Sequence, residues 1–199
     1  MSLEQWNERY RAGEQLFDAP VPLVVKFAGA VRGRALDLAC GSGRNALYLA
    51  ELGWHVTAVD GSPVALEVLG ARARERGLKI DTRIADLERG EFQIASDTYD
   101  LILDCYYLQR DLFATMQAGV PPGGMIISIV HLADADGTPK RAYPGELRKY
   151  FEGWKILHYR EGQPGESCHQ RAVAEIVAIR CGVDLLIGPA QAEACATIC

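Results

Sequence analysis

Residues 34 to 48 read Arg-Ala-Leu-Asp-Leu-Ala-Cys-Gly-Ser-Gly-Arg-Asn-Ala-Leu-Tyr. They predict a short buried strand over 35–39, a hinge at Gly41 and Gly43, and a helix that ends near Gly53. Because glycine has no Cβ, the backbone at the hinge can turn sharply from strand into helix and let a ligand approach closely. The stretch therefore predicts a small-molecule site at the end of a strand.

Asp37, four residues before the first glycine, indicates the charge of that ligand. A helix start attracts anions, but a carboxylate directly beneath it would repel a pyrophosphate. S-adenosylmethionine carries two positive groups, an amine and a sulfonium, together with a carboxylate that can face the helix start. This charge pattern favours S-adenosyl-L-methionine as the cofactor.

A dinucleotide site is the alternative interpretation of the same residues. Gly41-Ser-Gly43-Arg-Asn-Ala46 satisfies the relaxed G-x-G-x-x-G/A pattern, and Asp60 lies near the acidic position about 20 residues further on. This would make the protein an NAD-dependent Rossmann oxidoreductase. Asp37, a further acid at Asp86 and a predicted antiparallel strand pair near the end of the chain favour the methionine cofactor instead.

Two acids follow the next two predicted strands. Asp60 ends the strand that begins at His55, where a carboxylate can accept hydrogen bonds from both hydroxyls of a ribose. Ser62 follows as the predicted N-cap of a helix, and we count it with Asp60 among the cofactor-binding residues. Asp86 and Leu87 follow the third strand, where the acid could bind the adenine amine and the leucine could cover the ring. Asp86 could also simply cap a turn.

The remaining pattern predicts an α/β fold. Residues 161–170 are too few for a crossover helix, so the β-type runs on either side of them should pair antiparallel. We therefore expect a doubly wound, seven-stranded, mostly parallel sheet with a C-terminal antiparallel pair, a Rossmann-like methyltransferase fold. One domain should cover 1–180, and 181–199 form a C-terminal extension of unknown role.

Composition limits the classes of function. The chain has 199 residues, 49% hydrophobic and 24% charged, with a formal net charge of −5, which does not favour a nucleic-acid partner. No apolar run approaches the roughly 18 residues of a membrane span, and the N-terminus is polar, so we expect a cytoplasmic protein without a membrane partner. The six cysteines form no C-x-x-C pair, so no metal site is expected.

Several segments look like those of class I S-adenosylmethionine-dependent methyltransferases. The resemblance covers roughly residues 6–180 and is carried by Asp37-Leu-Ala-Cys-Gly-Ser-Gly-Arg-Asn45, Val56-Thr-Ala-Val-Asp60, Ala85-Asp86-Leu87, Tyr99-Asp-Leu-Ile-Leu103 and Pro122-Gly-Gly124. Within that superfamily, Trp6-Asn-Glu-Arg-Tyr10 and the Cys-Gly-x-Gly-Arg-Asn form are similar to the tellurite-resistance methyltransferase group.

This resemblance implies methyl transfer to a small-molecule acceptor. It adds Tyr10, Arg11 and Asn45 on the cofactor side, and it implies that His169 and Arg171 lie near the acceptor.

The residues themselves indicate further acceptor-side candidates. The fourth strand ends in Asp104, Tyr106 and Tyr107, Arg110 follows it, and the fifth strand ends at His131. A histidine in this position could transfer a proton or could simply be hydrogen-bonded. The catalytic candidates are His131, His169 and Arg171.

Arginine and histidine around the acceptor would favour an oxyanion or a carboxylate, with a thiol or an apolar small molecule as the next choice. A non-catalytic S-adenosylmethionine-binding protein is also open, because catalysis by proximity needs no characteristic catalytic residue. The sequence does not indicate an oligomeric state.

Overall fold

The structure is a computed structural model that describes residues 2–14, 16–29, 32–134, 139–165 and 171–182. The helices are α1 (Leu3–Arg11), α2 (Pro22–Phe27), α3 (Arg44–Glu51), α4 (Pro63–Glu75), α5 (Leu112–Gly119) and α6 (Glu146–Lys149). The strands are β1 (Arg34–Leu38), β2 (His55–Asp60), β3 (Ile80–Ile84), β4 (Leu101–Cys105), β5 (Met125–His131), β6 (Lys155–Gly162) and β7 (Val173–Ile179).

The strands form one sheet in the order β3-β2-β1-β4-β5-β7-β6. β1 to β5 are parallel, whereas β7 pairs antiparallel with both β5 and β6. The order reverses between β1 and β4, so their carboxyl ends open a crevice there. The predicted fold class is confirmed.

Local sequence explains where the helices begin and end. Ser62 caps α4 by accepting a hydrogen bond from the backbone N–H of Ala65, and Pro63 occupies the first helical position. Helix α2 ends at Phe27. Its C-cap carbonyl, on Ala28, accepts a hydrogen bond from the indole of Trp54, a long-range contact that no local pattern indicates.

Both faces of the sheet are covered by apolar side chains. One cluster joins α2, α3 and α4 to the sheet, with Leu47, Leu49 and Leu69 fully buried. The other joins α5 and α6 to the opposite face around Phe113 and Phe151. The two layers hold the carboxyl ends of the strands in fixed positions. In the described part of the chain, no helix has the length and apolarity to cross a bilayer.

Candidate active site

A cavity of about 1150 Å³ opens at the carboxyl ends of β1, β2, β4 and β5, beneath α1. Its lining brings together many of the predicted site residues: Tyr10, Asp37, Gly41, Asn45, Asp60, Asp86, Leu87, His131 and Arg171. Gly43 and Ser62 do not line it, and His169 lies outside the described residues.

The two hinge glycines have different tasks. Both have positive φ, +55° at Gly41 and +82° at Gly43. A Cβ on Gly41 would lie 2.5 Å from the hydroxyl of Tyr10, so this glycine lets α1 approach the cavity closely. A Cβ on Gly43 would lie 2.2 Å from Leu69, so that glycine allows α4 to pack against the hinge.

Asp60 joins the hinge to the end of β2. Its Oδ2 accepts the backbone N–H of Gly41 and its Oδ1 accepts that of Ser62, both at 2.8 Å. Burial raises the pKa of Asp60, and these two hydrogen bonds oppose the increase. Each carboxylate oxygen has a second lone pair, so both can still accept a hydroxyl from a ligand in the cavity.

Asp37 is a buried acid whose hydrogen-bonding capacity is incompletely used. Its side chain accepts a hydrogen bond from the backbone of Ala46, but its Oδ2 has no hydrogen-bond partner among the described residues. Burial raises the pKa of Asp37 to about 7, against the opposing effects of the Ala46 N–H and the Arg44 charge. An ammonium group in the cavity could satisfy that oxygen and hold the carboxylate ionised.

Asp86 fits both interpretations made from the sequence. Its Oδ1 accepts the backbone N–H of Glu88 at 3.0 Å and so caps the short 3-10 turn Leu87–Arg89. The same residue lines the cavity beside Leu87, which is buried. The capping contact leaves acceptor capacity on the carboxylate, so a turn cap and a ligand contact are compatible here.

Asn45 and Ser62 are engaged by protein groups. The Oδ1 of Asn45 accepts the backbone N–H of Val21 at 2.9 Å, which ties the start of α2 to the hinge. The fully buried hydroxyl of Ser62 donates to Oδ1 of Asn7 at 2.6 Å and so attaches α1 to α4. Asn45 lines the cavity, whereas Ser62 holds together two helices next to it.

The end of the cavity at β4 and β5 combines aromatic and cationic groups. The rings of Tyr106 and His131 have centroids 5.4 Å apart. The guanidinium of Arg44 lies between two rings, 5.2 Å from the centroid of Phe17 and 5.5 Å from that of Tyr106. Sequence reasoning did not select Arg44, although its position directly after the hinge was a usable signal.

Two further cations line the cavity. Arg171 lines the cavity with its Nε 3.6 Å from Oδ2 of Asp134, and Lys140 lines it while paired with Glu88. Lys140 belongs to the segment 132–145 between β5 and α6, of which 132–134 and 139–145 are described. The cations of this region thus come from the hinge, this segment and the residues before β7.

Two residues that were predicted to face the acceptor lie elsewhere. Asp104 is buried on the opposite face of the sheet from Asp37, and its Oδ2 accepts a hydrogen bond from the hydroxyl of Ser128. Arg110 pairs with both carboxylate oxygens of Glu146, at 2.6 and 3.1 Å, and joins α5 to α6. Neither lines the cavity, because strand alternation and this long-range ion pair direct them away from it.

Cys40 lines the cavity beside Gly41, but its chemistry is restricted. Burial raises the pKa of the Cys40 thiol well above its usual value, and the neighbouring Asp37 and Asp60 add to the effect. The group is therefore a neutral thiol near pH 7 and not a nucleophile. No cluster of three or more potential metal ligands occurs within the described ranges.

This strand order, with acids at the tips of β1 and β2 and after β3, defines the fold of class I S-adenosylmethionine-dependent methyltransferases. Residues 21–176 match the family described as "Tellurite resistance protein TehB". The chain belongs to the TehB family, which confirms the resemblance found in the sequence.

Individual relatives agree with this assignment. The chain is 35% identical over 141 residues to "Hemagglutinin 1" of Eikenella corrodens, covering 64% of this chain and 46% of that protein. It is 28% identical over 140 residues to the "Probable S-adenosyl-L-methionine-dependent methyltransferase TehB" of Haemophilus influenzae, covering 64% and 48%. The chain thus matches about half the length of these curated relatives.

A solved structure gives the same result. The crystal structure of TehB from Haemophilus influenzae superposes with a TM-score of 0.70 at 25% identity, covering 87% of this chain and 67% of that one. The shared fold therefore extends over most of the chain.

Proposed function

We propose that this protein transfers a methyl group from S-adenosylmethionine to a small-molecule acceptor. The observation that carries the proposal is the buried Oδ2 of Asp37, which lacks a hydrogen-bond partner among the described residues in a cavity also lined by Asp60 and Asp86. Membership of the TehB family supports it. A hydride-transfer role with NAD has no comparable support, because the antiparallel β7 and the family both favour the methyltransferase class.

The lining of the cavity offers a group for each part of the cofactor. Asp37 would bind the amino group, Asp60 the ribose hydroxyls, and Asp86 with Leu87 the adenine. Tyr10, held over the hinge by α1, would cover the middle of the molecule. When bound, this cofactor supplies a methyl group already activated by its positive sulfur.

The protein's own contribution is to position the acceptor and exclude water. Methyl transfer needs the acceptor atom about 3 Å from the methyl carbon and in line with the leaving sulfur. Tyr106, with φ of +67°, is held at the end of β4 by its backbone N–H, which donates to the carbonyl of Ile129 at 2.6 Å. This contact and the stacked Arg44 give the acceptor end a rigid wall.

We propose that the acceptor is an anion, such as a metalloid oxyanion or a carboxylate. Arg44, Lys140 and Arg171 bring positive charge to the lining of the cavity, Lys140 and Arg171 while paired with Glu88 and Asp134. His131, beside Tyr106, would accept a proton where the acceptor carries one, and His169 stays a candidate from the sequence. A thiol acceptor is the alternative, since it needs only proximity and a proton acceptor.

The test is a methylation assay with radiolabelled S-adenosylmethionine against metalloid oxyanions, small carboxylates and small thiols. We expect product from an anion, and a rise in KM of about tenfold or more for Arg44→Gln, because a charge-assisted contact is lost. Arg34→Gln, at the opposite end of β1, is the matched control. Product from thiols alone, unaffected by Arg44→Gln, would contradict an anionic acceptor.

Binding measurements test the cofactor separately. Calorimetry should detect binding of S-adenosylhomocysteine to the protein and no binding of NAD⁺. Binding of S-adenosylhomocysteine without methylation of any acceptor would favour the non-catalytic alternative, and binding of NAD⁺ alone would refute the proposal. A cytoplasmic location and the absence of a nucleic-acid partner stay predictions from the sequence.

A further inference from the structure

Strand β3 is an exposed edge of the sheet. It pairs with β2 on one side, and on its other side it has no neighbouring strand in the described portion of the chain. Residues 85–98, which lead from β3 towards β4, contain a short 3-10 turn and no α-helix, so among the described residues no helix covers the face of β3 that carries the exposed Asp81 and Arg83. The outward N–H and C=O groups of such an edge can pair with another strand.

The sequence of β3 is charge-complementary to itself in one antiparallel register. The strand reads Ile80-Asp81-Thr82-Arg83-Ile84. A two-fold axis at Thr82 would place each Asp81 opposite the partner's Arg83 and each Ile80 opposite the partner's Ile84. Both charged side chains are more than half exposed and project from the uncovered face, where Arg83 Nη2 lies 2.9 Å from Asp81 Oδ2 within one chain.

The other face of β3 carries an exposed apolar side chain, and a cleft opens at the amino end of the strand. Ile84 is 67% exposed, the most exposed large apolar side chain among the described residues. This cleft of about 680 Å³ is lined by Ile80, by Gly70 and Ala73 of α4, and by polar and charged residues that include Arg74 and Lys79. In the register centred on Thr82, the partner's Ile84 reaches Ile80 at the border of this cleft.

We propose that β3 is a homodimer interface, in which two copies of the chain join edge to edge, antiparallel about Thr82, into one continuous sheet. Such an isologous contact makes every attractive pair twice, as a closed two-fold dimer requires. Cross-strand pairs of opposite charge and of apolar side chains stabilise antiparallel strands, whereas like charges directly opposite destabilise them. The inference does not depend on the proposed methyl transfer, because the edge lies outside the cavity.

Charge exchange gives a sharp test. Sedimentation equilibrium of the full chain should give a dimer, and Asp81→Arg or Arg83→Asp alone should weaken dimerisation about tenfold or more, because two repulsive pairs replace two attractive ones. The double variant Asp81→Arg/Arg83→Asp restores complementarity in the same register and should recover the dimer. Glu152→Arg, an exposed charge reversal away from β3, is the matched control.

Each outcome is decisive. Circular dichroism and S-adenosylhomocysteine affinity, which the edge should not affect, will show that the variants are folded. Thr82→Pro, which places a ring and no N–H donor at the centre of the contact, should also give monomers. A wild-type monomer at all concentrations up to about 0.2 mM, where dimers of the affinity that such pairs support would form, overturns the proposal. A dimer that tolerates the single reversals overturns it as well.

Discussion

The backbone N–H of Gly41 donates to Oδ2 of Asp60 at 2.8 Å, so the hinge after β1 is attached to the tip of β2 by a carboxylate that also lines the cavity. The other oxygen of the same carboxylate accepts the N–H of Ser62. Hinge geometry and ligand binding therefore share one side chain, and a change at Asp60 should affect both.

Asp60→Asn tests this coupling. The amide keeps the shape of the side chain but has one acceptor oxygen, so one of the two backbone N–H groups will face an NH₂ group. We expect the free energy of unfolding to fall by about 1–3 kcal/mol, the usual effect of an unsatisfied donor, and S-adenosylhomocysteine to bind about tenfold or more weakly. Urea denaturation and calorimetry measure the two effects.

The matched control for Asp60→Asn is Asp97→Asn, an exposed acid paired with Arg180. The free energy of unfolding of this variant and its affinity for S-adenosylhomocysteine should both stay near those of the wild type. Unchanged ligand affinity in Asp60→Asn would mean that this acid holds the hinge and does not bind the ribose.

Gly41→Ala should displace Tyr10. The new Cβ would lie 2.5 Å from the tyrosine hydroxyl, and alanine at φ of +55° is strained by about 1–2 kcal/mol. Combining it with Tyr10→Phe removes the hydroxyl, so the nearest ring atom is then 3.5 Å away. We expect the double variant to recover S-adenosylhomocysteine affinity that Gly41→Ala loses, while the backbone strain persists as a lower Tm.

The double-mutant cycle decides how Gly41 acts. Simple additivity of the two substitutions would show that Tyr10 does not respond to the Cβ and that backbone strain alone explains the loss. Tyr10→Phe by itself is the reference for any effect of the hydroxyl on ligand binding. A non-additive recovery would support close approach of α1 as the reason for this glycine.

The site shows which features a sequence can predict. The strand order follows from alternating strands and helices, and the antiparallel pair follows from the short connection before β7. Asp37, Asp60 and Asp86 were found because each ends or follows a strand at the same edge of the sheet. Parallel strands necessarily bring such positions together, so local pattern and topology were sufficient.

Contacts between distant segments could not be predicted in this way. Asn45 binds the backbone of Val21, and Ser62 binds Asn7, 55 positions away. Arg110, a candidate for the acceptor, instead pairs with Glu146. Each of these contacts forms because tertiary packing brings two distant segments together. The spacing of residues along the sequence does not reveal which segments will meet.

Cofactor binding should depend on pH through Asp37. Burial raises the pKa of this acid in the free protein to about 7, so it is largely protonated at pH 6 and must release a proton to bind an ammonium group. Affinity for S-adenosylhomocysteine should therefore increase about tenfold from pH 6 to pH 8. The binding enthalpy should also vary with the ionisation enthalpy of the buffer, since a proton is released.

Asp37→Asn is the control for that pH dependence. It removes the titrating group, so its affinity should be weaker at pH 8 and nearly constant between pH 6 and pH 8. If wild-type affinity did not change over this range, Asp37 would not be the group that binds the amine.

The buried acid Asp104 should reduce stability as the pH rises. Burial raises its pKa to about 8, and its Oδ1 has no hydrogen-bond partner among the described residues. The folded state therefore binds a proton more tightly than the unfolded chain, so stability is greatest below about pH 4 for this group and is lost as the pH rises towards 8.

Asp104→Asn mimics the neutral acid and can still accept the Ser128 hydroxyl. Thermal unfolding should show a Tm above that of the wild type by several degrees or more at pH 9, with a difference that shrinks steadily as the pH falls towards 4, because each pH unit between these pKa values costs up to about 1.4 kcal/mol. Equal Tm values at pH 9 would mean that Asp104 ionises in the folded protein as easily as in the unfolded chain.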